Sequence, residues 1–179
     1  MTRRAVRHKL HPHLESDAKA SWSISADAKR TAPDKLELAF RVDGPLETLL
    51  IPGPASADRV DGLWQHTCFE AFVMPAGGGA YYEINLSPST RWAAYSFSSY
   101  REGMTPALED PGIALRSDEN RLVLKAGISG LPEGEWQVGL SAVIEAKDGN
   151  RSYWALAHPP GKPDFHHRDC FALRLPPAA

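Results

Sequence analysis

Apolar and polar residues alternate with a period of two through most of this chain, and no stretch sustains the 3.6-residue period of a helix. Trp22, Ile24 and Ala26 alternate with serines; Leu36, Leu38, Phe40 and Val42 alternate with Lys35, Glu37 and Arg41, and Thr31 to Asp34 supply a turn between the two runs. The same pattern returns in Leu122, Leu124, Ala126 and Ile128 and again in Trp136, Val138, Leu140, Ala142 and Ile144, with Asp148-Gly149-Asn150 as the following turn. Further strands are predicted over 67–74, 81–87, 92–98, 113–116, 152–157 and 170–175. Another short one is predicted over 46–51, ended by Pro52-Gly53-Pro54, before a loop from 52 to 62. About ten short strands with closely spaced turn signals predict an all-β chain folded as an antiparallel β-sandwich of jelly-roll type.

The segment Leu63 to Arg101 organises the reading. Taking Pro88 to Arg91 as a four-residue turn sets Ser87 opposite Trp92, Asn85 opposite Ala94 and Glu83 opposite Ser96, with Tyr82, Ile84 and Leu86 opposite Phe97, Tyr95 and Ala93. That register predicts one aromatic and aliphatic face, and one polar face carrying Glu83, Asn85, Ser87 and a single large ring, Trp92. The strand from Thr67 to Val73 is apolar on both faces except for Glu70, as in a central strand covered on both sides. A carboxylate in such a strand requires a partner or a wet cavity, because an unpaired buried charge is costly.

Composition narrows the field. At 179 residues the chain suits one core, so 1–179 is read as a single domain, with 1–15 as a flexible or loosely docked N-terminus. A formal net charge of −2 gives no electrostatic case for nucleic acid or an anionic membrane; the basic cluster Arg3, Arg4, Arg7, His8 and Lys9 is read as a solvated terminus. No apolar run resembles a signal-peptide core or approaches the roughly 18 residues of a membrane span, so a cytoplasmic location is expected. Cys68 and Cys170 belong to no metal-type motif and are read as two buried thiols.

Several of these segments carry a resemblance: Leu63-Trp64, Cys68-Phe69-Glu70-Ala71-Phe72, Tyr82-Glu83-Ile84-Asn85-Leu86-Ser87-Pro88 with Trp92, Ala94 and Tyr95, Tyr100-Arg101, and His158-Pro159 with Lys162-Pro163-Asp164-Phe165-His166. Across roughly residues 60–170 the chain resembles the small bacterial DOMON-like proteins, whose fold is similar to the family 9 carbohydrate-binding modules. The resemblance implies a β-sandwich with a ligand site on its concave face, where the wider superfamily takes sugars or haem. Family 9 modules are typically secreted attachments to glycanases; this chain shows neither signal nor catalytic domain, which favours a small or intracellular ligand.

The candidate site follows. Glu83, Asn85 and Trp92 have the chemistry of a saccharide site, in which a ring packs on the sugar's apolar face and carboxylate and amide groups bond its hydroxyls. Glu70 adds a second carboxylate, Trp64 closes the other edge, and Tyr100 and Arg101 follow the last strand. Arg101 is expected to pair with Glu70 or Glu83, or else to bind an anionic ligand. His158, Asp164 and His166 complete the ligand-binding set from a loop folded over the sheet. The expected activity is non-catalytic binding of a saccharide or sugar derivative, with no cofactor. The alternatives are a metal-dependent enzyme using His158, Asp164 and His166, a hydrolase using Glu70 and Glu83, a haem domain ligated by His66, His158 or Met104, and an interaction module taking another protein's segment on the concave face.

Overall fold

A computed structural model describes residues 6–16 and 21–178. Two antiparallel sheets stack on a common apolar layer. The smaller runs in the order β1 (Arg7–Lys9), β3 (Ser23–Ala32), β4 (Lys35–Asp43), β10 (Arg121–Ile128), β9 (Ala114–Ser117). The larger runs β2 (His11–Pro12), β12 (Arg151–Ala155), β11 (Trp136–Glu145), β5 (Cys68–Pro75), β6 (Tyr81–Leu86), β7 (Trp92–Phe97), β8 (Thr105–Pro106), with β13 (Leu173–Leu175) also paired to β11. The chain is thus a β-sandwich, as the alternation predicts.

The two sheets differ in how they meet water, and the sequence pattern shows why. In β4, Leu36, Leu38, Phe40 and Val42 are buried while Lys35 and Glu37 are exposed, so the small sheet has one wet face. The large sheet is covered twice. Phe69, Ala71 and Val73 of β5 enter the inter-sheet core, whereas Phe72 and Met74 point the other way. There they join Tyr81, Tyr95, Phe97, Val143, Phe165 and Phe171 in a second apolar cluster. The segment 156–172 supplies the cover. Gly139 of β11 lets it settle, because a Cβ at that position would lie 2.9 Å from the Phe171 ring and 3.2 Å from the Cys170 carbonyl oxygen.

The β6–β7 hairpin departs from the expected register by one residue. Leu86 faces Trp92, Asn85 faces Ala93 and Glu83 faces Tyr95. The loop is Pro88-Ser89-Thr90, three residues rather than four: the Thr90 N–H donates to Ser87 O at 3.0 Å, and the Ser87 N–H to Arg91 O at 3.0 Å. Thr90 adopts a φ of 76°, a left-handed conformation that closes three-residue hairpins and that a β-branched residue seldom takes. Because side chains alternate, the slip moves every β7 residue to the opposite face. Trp92 belongs to the inter-sheet core, and Tyr95 and Phe97 to the outer cluster beside Asn85.

One smaller expectation also changes. Leu46–Thr48 forms a 3₁₀ turn, with only Leu49 bridging to Ala146, in place of a strand over 46–51. The N-terminal segment is hydrogen-bonded into both sheets from Arg7 onward, through β1 on β3 and β2 on β12. Arg3 and Arg4 lie outside the described residues.

Candidate functional site

The outer face of the large sheet holds the polar groups that the core cannot. Strand pairing lines up Ser141, Glu70, Asn85 and Ala93 in one row and Gly139, Phe72, Glu83 and Tyr95 in the next. Glu70 and Glu83 are therefore diagonal neighbours, with Cα atoms about 7–8 Å apart in such a lattice. Both are buried, at 3% and 6% exposure, and Asn85 is buried completely. The Asn85 Nδ2 donates to Glu83 Oε1 at 3.0 Å and the Ser141 hydroxyl reaches Glu70 Oε2 at 3.5 Å, while Asn85 Oδ1 has no partner.

Burial pushes the Glu70 carboxyl well above the usual carboxylate range; the neighbouring Glu83 adds to the shift, against the opposing effects of Ser141 and Arg101. Burial raises Glu83 as well, opposed by Asn85 and Arg101. The pair is thus poised to hold a proton where two isolated carboxyls would both be ionised. Cys68, on the same strand, is a free buried thiol pushed up mainly by burial and further by Glu70.

A chain of contacts leads from Glu83 to the surface. His166 sits with Nε2 3.5 Å from Glu83 Oε2 and Nδ1 2.7 Å from the Tyr81 hydroxyl, its ring edge-on to Phe72 and Phe97. Burial, with Arg101 nearby, lowers its pKa to about 4 against the opposing pull of Asp164, so the imidazole is neutral. The arrangement fits the tautomer protonated on Nε2, accepting the Tyr81 O–H at Nδ1. The Tyr81 oxygen in turn accepts the Arg101 backbone N–H at 3.1 Å. Arg101 has a φ of 57°, and its guanidinium pairs with Asp164 at 2.8 Å, to which the Tyr100 hydroxyl also donates. Burial alone would raise Asp164; the bonds from Tyr100 and Arg101 outweigh it and hold the carboxyl below its ordinary value.

The residues singled out from sequence divide accordingly. Glu70, Glu83, Asn85, Tyr100, Arg101, Asp164 and His166 lie in one network. Trp64 stands 52% exposed on the 3₁₀ turn Leu63–Gln65 that leads into β5, and its neighbour Leu63 packs on the outer cluster. Trp92 faces the opposite side of the sheet. Arg101 salt-bridges Asp164 rather than either glutamate. His158 is drawn away: its Nε2 bonds the His11 carbonyl at 2.8 Å and its ring meets His13 edge-on at 5.0 Å. With Asp164 committed to Arg101 and His166 to Tyr81, the trio proposed for a metal does not converge, and among the described residues no three His, Cys, Asp or Glu are grouped to hold one. The candidate haem ligands are scattered too, for His66 contacts Glu145 at 2.9 Å and Met104 is exposed. Ser141, Tyr81 and Tyr95 were missed. Ser141 carries a legible signal, a hydroxyl in the middle of an apolar strand, and Tyr81 shares the face of Glu83 and Asn85 by the alternation of β6, whereas Tyr95 becomes part of the site only through the true register.

A surface depression of about 720 Å³ lies on the other sheet, between Asp43, Gly44 and Asp118 to Arg121. Two of its carboxylates are occupied locally: Asp118 accepts backbone N–H groups of its own turn, and Asp43 pairs with Arg121.

No protein-family model matches the sequence, and no curated protein does. Two solved structures are similar. One is a protein from Bacteroides uniformis ATCC 8492 provisionally assigned as carbohydrate-binding, with a TM-score of 0.66 at 15% identity over 94% of this chain and 84% of that one. The other is a family 9 carbohydrate-binding module from Caldicellulosiruptor kristjanssonii in complex with cellotriose, with a TM-score of 0.57 at 10% identity over 88% and 75%. What they share with this chain is the fold. The likeness agrees with the sandwich of two antiparallel sheets and with the fold expected from the sequence resemblance.

Proposed function

We propose that the outer face of the large sheet binds a saccharide without transforming it. The observation that carries this reading is the buried polar cluster of Glu70, Glu83 and Asn85 set among aromatic side chains, with the exposed rings of Trp64 and Tyr100 on the loops beside it. Aromatic faces and a few fixed polar groups are the usual means of holding a sugar. The similarity in fold to carbohydrate-binding structures supports the same reading, as does the sequence resemblance to DOMON-like proteins. Within it, Arg101, Tyr100 and Asp164 form the rim that a ligand would displace or rest on. We further take the chain to be one domain acting in the cytoplasm, where buried thiols such as Cys68 and Cys170 persist unpaired.

Titration calorimetry against a panel of neutral, acidic and amino mono- and oligosaccharides, cellotriose among them, tests the proposal. Binding that weakens in Trp64→Ala and Asn85→Ala while both variants keep the wild-type circular dichroism spectrum is the expected result. A panel with no binder, or a binder indifferent to both substitutions, overturns it.

A further inference from the structure

The cluster around Glu70 is crowded with acceptors and short of donors. Glu70, Glu83 and Asn85 Oδ1 all present oxygen, and the side-chain donors at hand, the Ser141 hydroxyl, Asn85 Nδ2 and the His166 Nε2–H, already face the glutamates, which share whatever proton the pair holds. Asn85 Oδ1 is left buried with nothing to accept, an arrangement native structures rarely tolerate without a missing partner. Positive charge is short as well. Among the described residues no lysine or arginine forms an ion pair with Glu70 or Glu83. Arg101, the cation whose field reaches both, is bonded to Asp164, and His166 is neutral.

One functional group meets both shortages. A primary ammonium carries three N–H donors, no acceptor and a single positive charge. A sugar hydroxyl brings one donor together with another acceptor oxygen, and an N-acetyl group brings a carbonyl and no charge. Resting on the saccharide reading above, we propose that the sugar recognised by this face is an amino sugar, its protonated amine seated between Glu70, Glu83 and Asn85 Oδ1. The amine takes the place of the counter-charge that Arg101 gives only from a distance. It enters past the Arg101 side chain, which is 51% exposed.

Seating a cation there draws the glutamate pair toward its ionised form, so protons are released on binding. The other titratable or charged groups around the pair are Cys68, Tyr81, Tyr95, Arg101, Asp164 and His166. Burial raises Cys68, Tyr81 and Tyr95, and His166 titrates near 4. At a pH low enough that the free amine already carries its proton, the released protons therefore come from the glutamates.

Three β-1,4-linked trisaccharides that differ only at C2 make the test: the glucosamine trimer, its N-acetylated counterpart, and cellotriose. Calorimetry in two buffers of different ionisation enthalpy reads affinity and proton release together. The glucosamine trimer is expected to bind on the order of tenfold or more tighter than the other two, with net proton release. In Glu70→Gln/Glu83→Gln, and in Glu83→Gln alone should the double variant not fold, both the preference and the release should fall away. Persistence of the preference in a folded variant means general attraction to an acidic chain and overturns the inference. Equal or tighter binding of cellotriose, or binding of any panel sugar without an amine while the glucosamine trimer fails, overturns this inference and leaves the saccharide reading standing. No binding by these three or by the wider panel overturns both.

Discussion

Leu86 of β6 stands opposite Trp92 of β7, and both side chains are buried between the sheets. The indole N–H donates to the Ala57 carbonyl at 3.3 Å, and the Arg59 guanidinium lies 4.3 Å above the ring. Trp92→Ala is therefore expected to destabilise the fold by about 3–5 kcal/mol, as loss of a buried aromatic does. Denaturant titration monitored by circular dichroism measures it. A loss well under 1 kcal/mol would place the ring outside the core.

Arg59 holds more than that ring. Its two terminal nitrogens donate to the carbonyls of Ala94 at 2.7 Å, Ala107 at 3.0 Å and Leu108 at 2.7 Å, fixing the segment after β8 against β7. A lysine keeps the charge but lacks the planar fork, so Arg59→Lys should leave acceptors unsatisfied and cost about 1–3 kcal/mol. Wild-type stability in that variant would show the fork to be dispensable.

Gly139 is needed for close approach rather than for its backbone angles. Gly139→Ala sets a methyl against the Phe171 ring and the Cys170 carbonyl, with an expected cost of about 1–3 kcal/mol. The loss should appear first as faster amide exchange in 156–172, the cover of the outer face.

The glutamate pair should make stability decline as pH rises above the ordinary carboxylate range. Glu70 and Glu83 titrate higher in the folded protein than in the unfolded chain, so between the unfolded value and the folded one the native state keeps a proton that the unfolded state has lost. Their contribution is whole below the ordinary carboxylate range and declines as pH rises, by about 1.4 kcal/mol per unit for each such group. Glu70→Gln should make this decline with rising pH shallower in urea titrations at successive pH values. A slope unchanged by the substitution would mean the pair is ionised at little cost.

His166 acts in the opposite sense over an overlapping interval. Its pKa drops from an ordinary 6.5 to about 4 on folding, so the stability it lends is whole above 6.5 and is lost as pH falls toward 4. Over that interval the loss amounts to about 3 kcal/mol. In His166→Gln the decline between those limits should shrink, and an NMR titration of the ring should place its midpoint well below 6.5. A midpoint near the ordinary value would remove the effect.

Much of the fold was legible in the chain because it depends on local alternation. Strands such as β4 and β10 display one apolar and one charged face, and only a sheet with one wet side accommodates them. Glu70 could be singled out for the same reason, as a carboxylate in a strand otherwise apolar on both faces. The neighbouring glutamate and asparagine also share its face, since the alternation within β6 is clear: Tyr82, Ile84 and Leu86 turn inward and Tyr81, Glu83 and Asn85 outward.

What the chain alone did not decide was the parity of β7. Ala93, Tyr95 and Phe97 are the more apolar set and so read as the inner one, but both faces of this sheet are covered, so apolar character does not choose between them and the loop length does. Nothing local announces a left-handed Thr90, because glycine or asparagine is the residue expected there. The choice is made by contacts with a distant loop: the Thr90 hydroxyl donates to Ala55 O at 2.9 Å, and the Ala55 N–H donates to Ser89 O at 2.9 Å. Arg101 follows the same logic, since its partner Asp164 comes from a segment 63 residues away that reaches it only by folding across the sheet. Periodicity is a property of neighbours in sequence and can be read from them; register across a loop and the pairing of charges depend on which segments meet in space.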